Sequence, residues 1–342
     1  MSMDATELNQ LWKTYQLKVT EEIAKSPEVL FCNGSAIGTL GNFSASIGKA
    51  KSKKTFSVNA ILAAALTNGE ILRYIAEFPD DKRTILYFDT EQSPHHSQRV
   101  MKRALQLARL PLDSHPKNLI FSQLRALTPE IRLELIDNAN ANTPNVGLVI
   151  IDGIRDLMFD INNAIESSRL IVKLMEWTDK YQIHIHTVLH LNKSDDNVRG
   201  HVGTELNNKA ETVLQVCKSS TDSEVTEVSA SCIRSMDCPP FACIVNEARL
   251  PEIATDYTVS KQTKAQTFSY SELTPEQHRQ ALEMAFSDGG MPELRGQYQT
   301  GIRCVWIPIW GRQGYETKII PDEQENGGQG ERVSVIICRN DD

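Results

Sequence analysis

The sequence predicts an α/β fold with a mainly parallel central sheet flanked by helices. Three observations predict it. Residues 45–58 read as a short strand, a tight basic loop and a helix. Residues 146–151 are an almost wholly apolar run ending in Asp152, as expected for a central parallel strand buried on both faces. Between and after them, strand-like and helix-like segments alternate up to residue 191. In such sheets ligands bind at the carboxyl ends of the strands.

The elements follow in order. Residues 6–25 place Leu8, Leu11, Tyr15, Val19 and Ile23 on one face at helical spacing. That predicts an amphipathic helix, packed either on a neighbouring subunit or on its own core. Residues 29–43 carry Gly34, Gly38 and Gly41 among short apolar pieces, the signature of a β-hairpin. After the basic loop, residues 56–66 form an Ala-rich helix stopped by Asn68-Gly69. A buried strand is expected at 84–89, a helix at about 94–109, a strand at 119–124 and a helix at 129–139. Beyond the strand ending in Asp152, a helix is expected at 165–181 and a strand at 183–191. A polar, Gly-containing segment follows at 192–203, read as a mobile loop, and then strands at 213–217, 225–232 and 241–245. The tail offers a helix at 274–286, strand candidates at 305–310 and 333–337, and a disordered stretch at 324–330. The expected organisation is an N-terminal helix over 1–27, a core over 28–255, and a C-terminal helix with an irregular tail over 256–342.

Composition narrows the class. The chain of 342 residues is 40% hydrophobic and 23% charged, enough for a large buried core. No apolar run approaches the roughly 18 residues that span a bilayer. The N-terminus opens on acidic and polar residues, unlike a signal peptide. Seven cysteines without a CxxC pair point to a reduced, cytoplasmic protein. A net charge of −8 disfavours nucleic-acid binding over the whole surface but leaves room for a local basic channel.

The chemistry concentrates at the strand ends. The basic loop nearly follows the P-loop pattern of Gly, four residues, Gly, Lys and Ser/Thr. Gly48 fills the first glycine position, Lys54 the lysine and Thr55 the hydroxyl; Lys53 stands where the second glycine belongs. A P-loop surrounds phosphates with backbone N–H groups at a helix N-terminus. Here Gly48, Ala50, Lys51, Ser52, Lys53, Lys54, Thr55 and Phe56 would supply the cradle. Lys54 would neutralise the β and γ oxygens, and Thr55 would ligate Mg²⁺. The plainer alternative for this segment is a solvated basic turn. Asp152, delivered by an apolar strand, matches a Walker B carboxylate that holds the metal, against the alternative of an ordinary turn aspartate. Glu91 stands two residues past the strand after the loop helix and is placed to orient a water toward the γ-phosphate. Asp89 is its rival, and a helix-end acid is the plainer reading. His184, His186 and His190 alternate along one strand, but no further ligands have metal-like spacing. His190 at the strand end fits a γ-phosphate sensor. Arg199 and Lys209 could contact phosphate or reach a neighbour's nucleotide; a surface loop with scattered charge is the alternative.

With these residues assembled, residues 28–250 resemble the RecA-like ATPases of the plasmid replicative helicase RepA type. The resemblance rests on 48–55, on Tyr87-Phe88-Asp89-Thr90-Glu91, on Ile150-Ile151-Asp152-Gly153-Ile154-Arg155-Asp156-Leu157, and on Leu189-His190-Leu191-Asn192-Lys193 with Arg199-Gly200. It implies ATP and Mg²⁺ as ligands and Glu91 as the water-activating residue. It further implies a ring-shaped homo-oligomer, such as a hexamer, with ATP between subunits and single-stranded DNA at its centre. The expected function is an ATP-driven motor on single-stranded DNA in replication or mobilisation of a plasmid or transposon. A non-hydrolysing, nucleotide-dependent DNA-binding or regulatory protein is the alternative, and a small-molecule kinase a more distant one. The chain departs from the family at Lys53, and no winged-helix-like region is recognisable after residue 287.

Overall fold

The computed structural model describes residues 3–191, 200–219, 221–234, 237–257 and 259, together with two later strands. It divides into a unit over Met1–Lys261 and a second over Gln262–Asp342.

The first unit opens with α1 (Ala5–Thr14), started by a capping box in which Asp4 accepts from Thr6 and Glu7 while Glu7 reaches back to the Asp4 N–H. The expected helix over 6–25 is therefore corrected to half its length. Its apolar residues are also not on this chain's core: Leu8, Leu11, Tyr15, Val19 and Ile23 are all exposed. No residue of α1 is buried, so neither packing nor capping extends the helix past Thr14.

Strands β1 (Glu28–Cys32) and β2 (Ser35–Thr39) form the expected hairpin, and β3 (Phe43–Gly48) leads into the basic loop. Helix α2 (Lys54–Thr67) follows and ends at Asn68 in the left-handed conformation. Two short strands that alternation did not announce come next, β4 (Glu70–Ile71) and β5 (Tyr74–Ala76). They are too short for a period to register, yet they extend the hairpin into a separate sheet ordered β2-β1-β5-β4. Then come β6 (Thr84–Asp89), α3 (Pro94–Leu107), β7 (Leu119–Gln123), α4 (Pro129–Asn142), β8 (Val146–Asp152), α5 (Ala164–Tyr181) and β9 (His184–His190). Each lies within a few residues of its sequence expectation.

The segment expected as a loop over 192–203 needs one correction: Gly200 opens α6 (Gly200–Lys209), while 192–199 lie outside the described residues. Strands β10 (Thr212–Lys218), β11 (Thr226–Ile233), β12 (Phe241–Val245) and β13 (Pro251–Ile253) complete the unit.

The main sheet has nine strands ordered β13-β12-β11-β10-β3-β9-β8-β6-β7. Neighbours from β10 through β7 run parallel, and β10 through β13 form an antiparallel extension. Alternate residues of each strand face opposite sides. Ile85, Tyr87, Leu148 and Ile150 pack with α2, α3 and the small sheet, whereas Leu86, Phe88, Val149 and Ile151 pack with α4, α5 and α6. Both faces are covered, which is why β8 is buried at every position.

The register aligns the strand ends. Gly48 lies opposite His190, Asp152 opposite Val188, and Asp89 opposite Asp152. Four parallel strands thus deliver their carboxyl ends to one edge of the sheet. In the second unit, β14 (Glu316–Pro321) and β15 (Val333–Cys338) pair antiparallel, Glu316 opposite Cys338 and Pro321 opposite Val333. The strand expected at 333–337 is present; the helix at 274–286, the strand at 305–310 and the stretch at 324–330 fall outside the described residues. Among the described residues no helix is long and apolar enough to cross a membrane.

Candidate active site

The loop between β3 and α2 is built on backbone that most residues avoid. Lys51 and Lys53 both have positive φ, 64° and 66°. Gly48 admits no substitute, because a Cβ there would lie 2.2 Å from the Val216 carbonyl oxygen. The Lys53 side chain does not enter the loop's hollow. Its Nζ donates to the Glu224 carbonyl oxygen at 2.9 Å and lies 3.7 Å from the Glu224 carboxylate.

Lys54 turns the other way. It is 5% exposed, and its Nζ donates to the carbonyl oxygens of Gly48 at 2.6 Å and Lys49 at 2.9 Å. It also lies 3.0 Å from His190 Nδ1. Burial pushes the ammonium down to about 8, against the opposing pull of Glu91 and Asp152. His190 Nε2 is in turn 3.4 Å from Glu91 Oε2. That contact holds the Glu91 carboxyl below its usual range, outweighing partial burial, with His190, Lys54 and Arg155 adding attraction. Lys54, His190 and Glu91 therefore form one connected row across three strand ends.

Asp89 and Glu91 are separated by what surrounds them. Asp89 is fully buried and spent on structure: Oδ1 accepts from the Glu91 and Gln92 N–H groups, and Oδ2 accepts from the Ser97 hydroxyl at 2.8 Å. Glu91 is half-exposed and borders a cleft of about 400 Å³ lined by Thr90, Arg125, Arg132, Arg155, Asp156 and His190. Its orientation toward this cleft favours it over Asp89 as the group that meets solvent.

Asp152 ends β8 with its Oδ2 accepting from the Tyr87 hydroxyl at 2.8 Å. Burial pushes its carboxyl up to about 7, with Asp89 and Glu91 adding repulsion and the Tyr87 bond opposing. A buried acid beside two other acids is a poor place for an isolated anion and a good one for a divalent cation. Thr55, half-buried at the start of α2, is the hydroxyl that sequence spacing supplies for the same ion. Ser52 Oγ is buried without a hydrogen-bond partner, an orphan polar atom inside the loop. The glycine-only position, the orphan hydroxyl, the turned-in lysine and the high-pKa acid all fit a magnesium-bound polyphosphate.

Other expected residues stand apart. Phe56 lies under the Arg103 guanidinium, 4.2 Å from the ring centroid, a cation–π contact between α2 and α3. Lys209 closes α6, and Arg199 lies outside the described residues. His184 and His186 use both ring nitrogens in hydrogen bonds to Thr39, Ser44 and Ser46, which removes the metal reading that three alternating histidines raised. Among the described residues no cluster of His, Cys, Asp and Glu could hold a metal by itself. Sequence reasoning missed Tyr87, Glu224 and Arg132, whose roles depend on contacts 65, 171 and up to 42 residues away. Only Tyr87 carried a signal, as a polar-tipped residue in an otherwise apolar strand.

A glycine-edged loop at a helix start, a turned-in lysine and strand-end acids together make a P-loop-like phosphate site on a parallel α/β sheet. A family model described as AAA domain matches residues 35–196, just under half of the chain. No curated protein matches the sequence. Among solved structures, one titled "Crystal structure of the RadB recombinase" is similar with a TM-score of 0.45 and 15% sequence identity, covering 63% of this chain and 91% of that one.

Proposed function

We propose that this protein is a RecA-like ATPase that hydrolyses ATP with Mg²⁺ and couples turnover to single-stranded DNA, as a helicase or remodelling motor of a mobile element's replication or transfer. The observation that carries the reading is the row of Lys54, His190 and Glu91 over the ends of β3, β9 and β6, with Asp152 on β8 between the last two. Glu91 is ionised at neutral pH and takes the proton of a water attacking the γ-phosphate. Lys54 exchanges its contacts with the Gly48 and Lys49 carbonyls for phosphate oxygens and stabilises the charge that develops there. His190 lies between the two and senses the γ-phosphate through either nitrogen. Thr55 and Asp152 would hold Mg²⁺, which when bound neutralises phosphate charge. Arg199 and Lys209 are the proposed contacts to phosphate, from DNA or from a neighbour's nucleotide. A homo-oligomer, with a hexameric ring as its expected form, and a cytoplasmic location complete the proposal.

The test is the ATPase rate with and without single-stranded DNA, run beside mass determination in solution. Lys54→Ala is expected to lower kcat by about 10²–10³-fold, the cost of one preorganised charge-stabilising donor. Glu91→Gln is expected to lower it by about 10²–10⁴-fold with ATP still bound. Full activity in both variants would sink the assignment. ATP binding without hydrolysis in the unaltered protein would favour the regulatory alternative.

A further inference from the structure

We infer that Arg132 is a positioning residue for Glu91, acting through the main chain and through Thr90. This rests on the ATPase reading of the site. Arg132 sits in the first turn of α4, pointing in rather than out, and is only 8% exposed. Among the described residues, all its hydrogen bonds go to main-chain carbonyls. Nε donates to Leu124 at 3.0 Å, Nη2 donates to Arg125 at 2.8 Å and reaches the Thr90 carbonyl at 3.5 Å, and Nη1 donates to Asp156. These carbonyls belong to the three chain segments that leave β6, β7 and β8. A single planar fork therefore ties together the loops that carry Glu91 and follow Asp152.

Thr90, the residue before Glu91, is the second part of the clamp. It is 1% exposed, and its N–H donates to the Asp152 carbonyl at 3.0 Å. Its hydroxyl lies 3.1 Å from the Asp152 carbonyl oxygen, 2.9 Å from that of Gly153 and 3.1 Å from Asp156 Oδ2. Gly153 makes this closeness possible. Its φ is +110°, and a Cβ there would meet Thr90 Oγ1 at 2.7 Å and Glu91 Cγ at 2.8 Å. Burying a guanidinium is costly unless its donors are satisfied. A fold needing only a filled space here would use an apolar side chain. The charge instead fixes carbonyls that otherwise face one another at the strand ends. The consequence is a fixed distance between the base that handles water and the acid that holds the metal. A displacement of about 1 Å in such a constellation costs roughly 10²-fold in rate.

The experiment measures kcat, ATP affinity by calorimetry and thermal midpoint for Arg132→Met, Arg132→Lys, Thr90→Val and Thr90→Ser in the full chain. Arg132→Met is expected to lower kcat by about 10²-fold, with ATP affinity kept within about threefold because the loop over 48–55 is untouched. Arg132→Lys should recover part of the rate. Thr90→Val should lower kcat and Thr90→Ser restore it. Unchanged kcat in Arg132→Met or Thr90→Val would overturn the inference, as would affinity falling in step with kcat. If Arg132→Met shows no folding transition, the Thr90 pair decides. If the unaltered protein does not hydrolyse ATP, the proposed function fails by itself. The clamp is then read from crystal structures of the Thr90→Val and Arg132→Met variants: a Glu91 main chain unmoved against Asp152 would overturn it, and a shift of about 1 Å would support it.

Discussion

At the scale of single residues, the departure at Lys53 has a structural answer. The P-loop pattern asks for glycine there because the backbone takes a positive φ, and Lys53 adopts it at 66°. A side chain in that conformation costs about 1–2 kcal/mol. The cost is partly offset where the ammonium reaches the Glu224 carbonyl on the β10–β11 turn. The side chain leaves the hollow clear, so the motif survives in geometry where it fails in spelling. Lys53→Gly is expected to leave ATP affinity within about threefold, since backbone strain is relieved while the Glu224 contact is lost. Calorimetry checks this, and a tenfold or greater loss would mean that Lys53 touches the nucleotide or a neighbouring subunit. The same scale separates the two acids of the β6 end. Asp89 is consumed by two N–H groups and a hydroxyl, whereas Glu91 borders the cleft, as the proposed base must.

At the scale of elements, β3 and β9 are joined by more than their ladder. A buried chain of hydrogen bonds runs from the Thr39 carbonyl to His184 Nδ1 (2.9 Å), from His184 Nε2 to Ser44 Oγ (2.7 Å), on to His186 Nδ1 (2.8 Å), and from His186 Nε2 to Ser46 Oγ (2.9 Å). A carbonyl can only accept, so each link has a fixed direction: both histidines are neutral with the proton on Nδ1, and Ser46 is the terminal donor. Burial pushes His184 down to about 4 and His186 down to about 3, the latter helped by His184. Both are unprotonated when folded and titrate near 6.5 when unfolded. Their neutral state therefore adds nothing against folding above pH 6.5, and stability is lost as pH falls from there toward pH 4. From pH 7 to 4.5 the pair is expected to cost on the order of 5 kcal/mol. Urea unfolding across that range should show a shallower acid loss in a His184→Gln, His186→Gln double variant. An equal slope in the two proteins would contradict the assignment.

At the scale of the whole molecule, α1 stands out. Trp12 and Tyr15 are 66% and 73% exposed, and no residue of the helix is buried. Removing residues 1–26 is therefore expected to leave the thermal midpoint of the 27–261 unit within about 2 °C, because residues 3–26 are all exposed. A fall of 5 °C or more in thermal unfolding would show that the segment is needed by its own chain. If the helix packs on a second copy, as one sequence reading has it, the truncation lowers the mass in solution instead.

Apart from β4, β5 and α6, the sequence determined the order of elements from β3 to β12, because strands buried on both faces and helices between them each impose their own period. It also determined which residues stand at the strand ends, since those positions follow from where apolar runs stop. Short strands such as β4 and β5 carry too few residues for a period, and α1 carried a helical period beyond the point where anything stabilises it. Tertiary structure alone decided the rest. Strand order put Asp89, Asp152, His190 and Gly48 side by side, a matter of hydrogen-bond register between segments up to about 140 residues apart. It turned Lys53 outward and Lys54 inward, and it recruited Arg132 from a helix whose sequence marks it as one more surface arginine. Local pattern can specify which groups reach an edge of the sheet. Which of them meet is set by long-range packing, because only the folded sheet fixes their distances.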